Sequence, residues 1–182
     1  MTTTSTPTQQ ASIPAAGRYR LDPARSSVTF RTRHLFGLGA VSGTMAVTSG
    51  EITIGPAAGQ ATMTAAVSAE SFHTGSRVRD RDVRSARFLD AGQYPHITFR
   101  AGTLLTRAGG SWMLAGELTV RQITSPVTLA VDSVEPAGAG FRARATTRID
   151  RYALGVTAAK GMAARHLGIN LAVTAEPWSP QA

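Results

Sequence analysis

The chain has no cysteine, a single lysine (Lys160) and only 6% aromatic residues across 182 positions. Without cysteine, disulfides, thiolate metal ligands and cysteine nucleophiles are excluded, so stability has to come from packing. Nineteen basic residues outnumber eleven acidic ones, giving a net charge of +8, and all but Lys160 are arginine. Such a charge attracts anionic partners without choosing among acidic lipid surfaces, phosphorylated small molecules and nucleic acid. Aromatic residues interleaved with the arginines, the usual accompaniment of single-strand base stacking, are missing, which argues against a nucleic-acid binder. No segment approaches the roughly 20 apolar residues of a membrane-spanning helix. The opening MTTTSTPTQQASIPAAG has neither a basic start nor a continuous apolar run. It predicts a disordered tail over 1–17, no secretory signal and a cytoplasmic protein.

What the chain does have is alternation. With 42% hydrophobic content it can bury the core of one domain. From Gly17 onward apolar residues recur with a period of two: Val28 and Phe30, then Val41, Gly43, Met45 and Val47. Ile52 to Ile54, Ala61 to Ser68, His96 to Ala101 and Trp112 to Val120 continue the series, punctuated by Gly50, Gly55-Pro56, Gly109-Gly110 and Gly138. Val127, Leu129 and Val131 share a face. So do Phe141, Ala143, Ala145 and Ile149 with a bulge or bend, leaving Arg142, Arg144 and Arg148 opposite. A last run, Leu167, Ile169, Leu171 and Val173, can pair with the first strand and close the sheet, removing exposed edges. The expected architecture is mainly β, a closed antiparallel eight-stranded barrel over 18–177, with a short tail at 178–182.

Strand alternation fails from Arg77 to Leu89, where Val83, Ala86 and Leu89 recur every three residues and predict one short helix. A second helical turn is expected around Thr157 to Arg165, where alanine favours helix and Gly161 opposes it. An eight-stranded barrel is the size at which side chains either fill the lumen or leave room for one small ligand. The small or slender inward residues Ala61, Met63, Ala65 and Val67 allow the second outcome without excluding the first.

Several ordered segments between Tyr19 and Glu176 carry a resemblance. They are YRLDPARSSVTFRTRHL, RDRDVRSARFLDAGQYPHITF at Arg79 to Phe99, LTVRQITSPVTL at 118 to 129, and IDRYALGV with Arg151 and Gly155. Together they resemble the YceI-like family, lipocalin-like barrels that hold polyisoprenoids or related long-chain amphiphiles. The resemblance implies a binding module that sequesters or transports a polyisoprenoid or isoprenoid quinone, with no catalysis and no cofactor. By alternation and by the family's lumen, the expected tail contacts are Phe30, Ile97, Phe99, Leu118, Val120, Leu129, Ile149, Ile169 and Leu171. Relatives are often exported and often dimeric, so a homodimer is expected. Arg25 and Asp82 stand where histidine is common in relatives, and Leu89 replaces a frequent aromatic.

Other chemistry finds little support in the spacing. His34, His73, His96 and His166 are scattered, without metal-ligand intervals. No G-x-S-x-G elbow occurs, and GLGAVS at 37–42 leads into an alternating strand where a pyrophosphate site needs a helix. Asp80 beside Arg79, and Asp150 beside Arg151, read as anchors of the helix and barrel rim. The alternative is an enzyme acting on a lipid or small metabolite in the same barrel, using Asp80, His34 or Arg151. Arg77, Arg81 and Arg84 fall near one helix face and are expected to touch an anionic membrane transiently.

Overall fold

Why an alternating chain closes on itself is visible in the computed structural model, which describes residues 14–34, 39–57, 59–106 and 111–179, with backbone alone at Arg33 and His34. Ten strands run in chain order: β1 Gly17–Leu21, β2 Ser27–His34, β3 Gly39–Met45, β4 Val47–Ile54 and β5 Ala61–Ser68; then β6 His96–Thr106, β7 Trp112–Val120, β8 Ile123–Ala137, β9 Gly140–Asp150 and β10 His166–Pro177. Every pairing is antiparallel. β1 and β2 both pair with β10, and β4 and β3 pair with them in turn, so the ten strands make eight staves. The β1–β10 pairing closes the ring.

The break between β1 and β2 is built by Asp22, whose carboxylate accepts from the amides of Ala24 and Arg25 and caps a 3-10 turn over Pro23–Arg25. Thr174, 2% exposed, stitches this bulge to β10: its hydroxyl donates to Arg25 O at 3.1 Å and its amide to Ser26 Oγ at 3.1 Å. In β9, Phe141, Ala143, Ala145 and Ile149 keep one uninterrupted phase against β10, so the bend expected there is absent. The register shift falls in the neighbouring strand, between Val131 and Ser133 of β8.

Two long connections gather at one end of the barrel, the β5–β6 segment (69–95) and the β9–β10 segment (151–165), together with the tight turn at Arg121-Gln122. The first holds α1, Arg77–Arg84, capped by Ser76, whose hydroxyl accepts from the Arg79 amide. α1 is shorter than the expected 77–89. Ser85 ends it, Leu89 N reaches back to Val83 O, and Asp90 takes a positive φ of 50°, so Ala86 is left exposed while Val83 and Leu89 still turn inward. The second helix expected at 157–165 does not form. Ala159 and Gly161 take positive φ values of 53° and 83°, which an α-helix does not accommodate, and the segment is a series of turns.

Phe30, Phe72, Phe88, Leu89, Leu154 and Val156 form a buried cluster under these connections. Phe30 stacks on Phe72 with centroids 4.9 Å apart. Gly43 permits this contact, since a Cβ there would collide with the Phe30 ring and the His73 carbonyl, which bonds the Thr44 amide. At the opposite end the connections are short, and Trp178 seals the β1 edge by donating its amide to Arg18 O and lying under the guanidiniums of Arg18 and Arg20.

Candidate functional site

The alternate residues that face inward do not meet. They enclose a cavity of about 680 Å³ running through the barrel, within the range of roughly 300–1,000 Å³ that holds a small amphiphilic or drug-sized ligand. Close-packed interiors rarely contain voids larger than a water, so an apolar space of this size is a feature to be explained. All nine residues expected from alternation and from the family's lumen, Phe30, Ile97, Phe99, Leu118, Val120, Leu129, Ile149, Ile169 and Leu171, lie on its wall. Five of them, Ile97, Leu118, Ile149, Ile169 and Leu171, are inward on the sheet yet only half-buried, because their free surface is the lumen.

The wall is larger than those nine. Leu21, Val47, Ile54, Met63, Leu114 and Phe141 belong to it by the same alternation. Pro14 and Ala16 ahead of β1, and Leu154 and Val156 from the β9–β10 connection, have no periodic signal. Leu89 is on the wall as well, whereas Arg25 and Asp82 are not: Arg25 pairs with Glu176 at 2.8 Å and Asp82 with Arg87 at 3.0 Å, both at the surface.

Among the described residues no acidic side chain lines the cavity, while Arg79 and Arg151 both do. Arg151, 7% exposed, donates to four backbone carbonyls: Nε to Ala164 at 2.9 Å, Nη1 to Val156 and Ala158 at 2.6 and 2.7 Å, and Nη2 to Ala163 at 2.9 Å. One guanidinium thereby folds the whole β9–β10 connection, and burial pushes its pKa below the usual arginine value. The adjacent Asp150 pairs instead with Arg165, at 2.8 Å from Nε and 2.6 Å from Nη2. That hydrogen bond, against a smaller opposing effect of burial and with help from the Tyr152 amide, holds Asp150 down at about 2. Tyr152 is ringed by cations, with Arg151, Lys160 and Arg165 lying 4.7, 5.2 and 5.4 Å from its centroid.

Asp80, 4% exposed, is equally committed. Its Oδ1 accepts from the Thr74 amide and hydroxyl at 2.9 and 2.6 Å, and Oδ2 faces His73 Nδ1 at 3.3 Å. Burial pushes its pKa up, but the Thr74 bonds and the charges of His73 and Arg84 outweigh this and hold the carboxyl below its ordinary value. A carboxylate kept ionised with both oxygens engaged anchors a loop and is poorly suited to proton transfer. The His34 side chain lies outside the described residues. Among the described residues no group of three His, Asp or Glu is placed to hold a metal, and no helix is long and apolar enough to cross a membrane.

The arginine face of α1 is narrower than expected. Arg77 and Arg81 are exposed, but Arg84 is half-buried and donates Nη2 and Nε to Phe72 O at 2.6 and 3.2 Å, holding the start of the β5–β6 connection. Of the GLGAVS fragment, residues 39–42 begin β3 and 37–38 lie outside the described residues.

A family model described as YceI-like domain matches residues 19–175. A UPF0312 protein from Enterobacter is 30% identical over 170 residues, spanning 87% of this chain and 85% of that protein, while matches to Vibrio relatives cover 60% of those proteins. Among solved structures, BcnA of Burkholderia cenocepacia superposes with a TM-score of 0.72 at 21% identity, covering 85% of this chain and 98% of its own. A polyisoprenoid binding domain from Saccharophagus degradans superposes with a TM-score of 0.62 at 12% identity, covering 88% and 98%.

Proposed function

The chain belongs to the YceI-like domain family, and from that premise we propose that it binds a long-chain amphiphile, a polyisoprenoid or an isoprenoid quinone, inside the barrel and sequesters or carries it. The observation that carries this reading is the 680 Å³ lumen walled by alternate apolar residues of a closed sheet. Each methylene-sized unit moved from water into such a space contributes about 0.8 kcal/mol before the costs of association and chain ordering. The fold shared with the Saccharophagus polyisoprenoid binding domain supports a prenyl chain as the tail. The commitment of Asp80 and Arg151 to structural bonds supports carriage without catalysis.

Exposed Arg77 and Arg81 on α1 support transient docking on an anionic membrane during loading, and the family resemblance supports a homodimer. Organic extraction of natively purified protein, followed by mass spectrometry, tests the central claim. A stoichiometric long-chain prenyl lipid is the expected result; an empty protein that also takes up no prenyl chain in vitro overturns it. Light scattering on the same sample reads the assembly state.

A further inference from the structure

The described wall of the lumen is mostly apolar, with Thr32, Gln60, Thr62 and Thr147 as neutral polar residues, and its charged groups lie at the helical end. Arg79, in the first turn of α1, lines the cavity and is half-buried. Its Nε donates to Thr74 Oγ1 at 2.7 Å, which fixes the guanidinium plane. Its two Nη groups have no hydrogen-bond partner among the described residues, and no buried polar side-chain atom there is left unpaired, so these groups face open space.

Asp80, next in sequence, is not their counter-ion, because its two oxygens go to Thr74 and His73. The other guanidinium on the lumen, Arg151, is surrounded by neutral carbonyls. Among the described residues, two positive groups therefore border a cavity with no carboxylate on its wall. Guanidinium donors left without a partner beside a mostly apolar lumen offer an entering anion charge-assisted, fork-shaped hydrogen bonds.

We propose that the lumen prefers amphiphiles with an oxyanion head, a phosphate or a carboxylate, over neutral heads on the same chain, and that the Nη groups of Arg79 are the anchor. The inference rests on the lumen being the lipid site and narrows that reading from quinones and alcohols toward prenyl phosphates or related acids. Arg79 thereby sets which end of the ligand lies under α1, with the tail running toward the short hairpins.

The test compares farnesyl phosphate with farnesol by titration calorimetry on the full chain, in wild type, Arg79→Gln and Arg79→Lys. Wild type is expected to bind farnesyl phosphate about tenfold or more tighter than farnesol. Arg79→Gln is expected to bring the two within about twofold of each other, with its thermal unfolding transition recorded alongside to show that it remains folded; Arg79→Lys keeps part of the preference. Palmitate against hexadecanol distinguishes a general oxyanion site from a phosphate site. Equal binding of farnesyl phosphate and farnesol by wild type, or a preference that survives Arg79→Gln intact, overturns the head-group inference and leaves the lumen reading standing. Failure of every chain to bind overturns both.

Discussion

Replacing Arg151 by methionine should unfold the β9–β10 connection before it affects the barrel. The guanidinium makes four hydrogen bonds of 2.6 to 2.9 Å to carbonyls of residues 156, 158, 163 and 164. Methionine fills similar space and donates none of them. The carbonyl of Val156, a residue 7% exposed, loses a buried partner outright, whereas those of the half-buried alanines can recover water. One full penalty of about 1–3 kcal/mol for an orphaned acceptor plus three partial ones gives a loss of about 3–5 kcal/mol. In a domain of this size that lowers the melting temperature by roughly 6–20 °C. Urea denaturation measures the loss, and amide exchange of 152–165 should rise before that of β6 and β7. A stability change below about 1 kcal/mol, or exchange unchanged in that segment, would refute the view that this arginine holds the connection together.

Asp150 should leave an acid signature: its pKa is depressed to about 2 in the folded protein, so its contribution is present above the unfolded value near 3.8 and is lost as pH falls through 2. Asp150→Asn should therefore be less stable than wild type at neutral pH and converge with it near pH 2; parallel curves would exclude the Arg165 pair as the cause. Ala65→Trp places a bulky ring in the lumen and should weaken prenyl-chain binding about tenfold or more, with the amount of co-purified lipid as the readout. If the lumen is the site, a prenyl lipid at about 100 times its dissociation constant should stabilise the wild type by roughly 2.7 kcal/mol, read as a rise of about 5–11 °C in Tm. Arg77→Gln with Arg81→Gln should reduce flotation with anionic vesicles at low salt, and Arg84 is left untouched because it bonds Phe72 O; unchanged flotation would dismiss membrane docking by α1.

Alternation along the chain was enough to say which strand residues share a face, because the side-chain period of a strand is two, so Ile97 goes with Phe99, Leu118 with Val120 and Ile169 with Leu171. It also determined closure, since the last apolar run had one unpaired edge to meet. Where the periodicity is local and weak, sequence reading went astray. The helix ends at Arg84 because Ser85 and Asp90 build turns, and residues 157–165 refuse the helix their alanines favour because Arg151, distant from most of them in sequence, collects their carbonyls. Arg84 looked like one of three equivalent surface charges until the fold brought Phe72 O beneath it. Whether the barrel is hollow or filled was a matter for tertiary structure alone. The answer depends on how far eight staves hold opposing side chains apart, and adjacent residues in a chain carry no record of that distance.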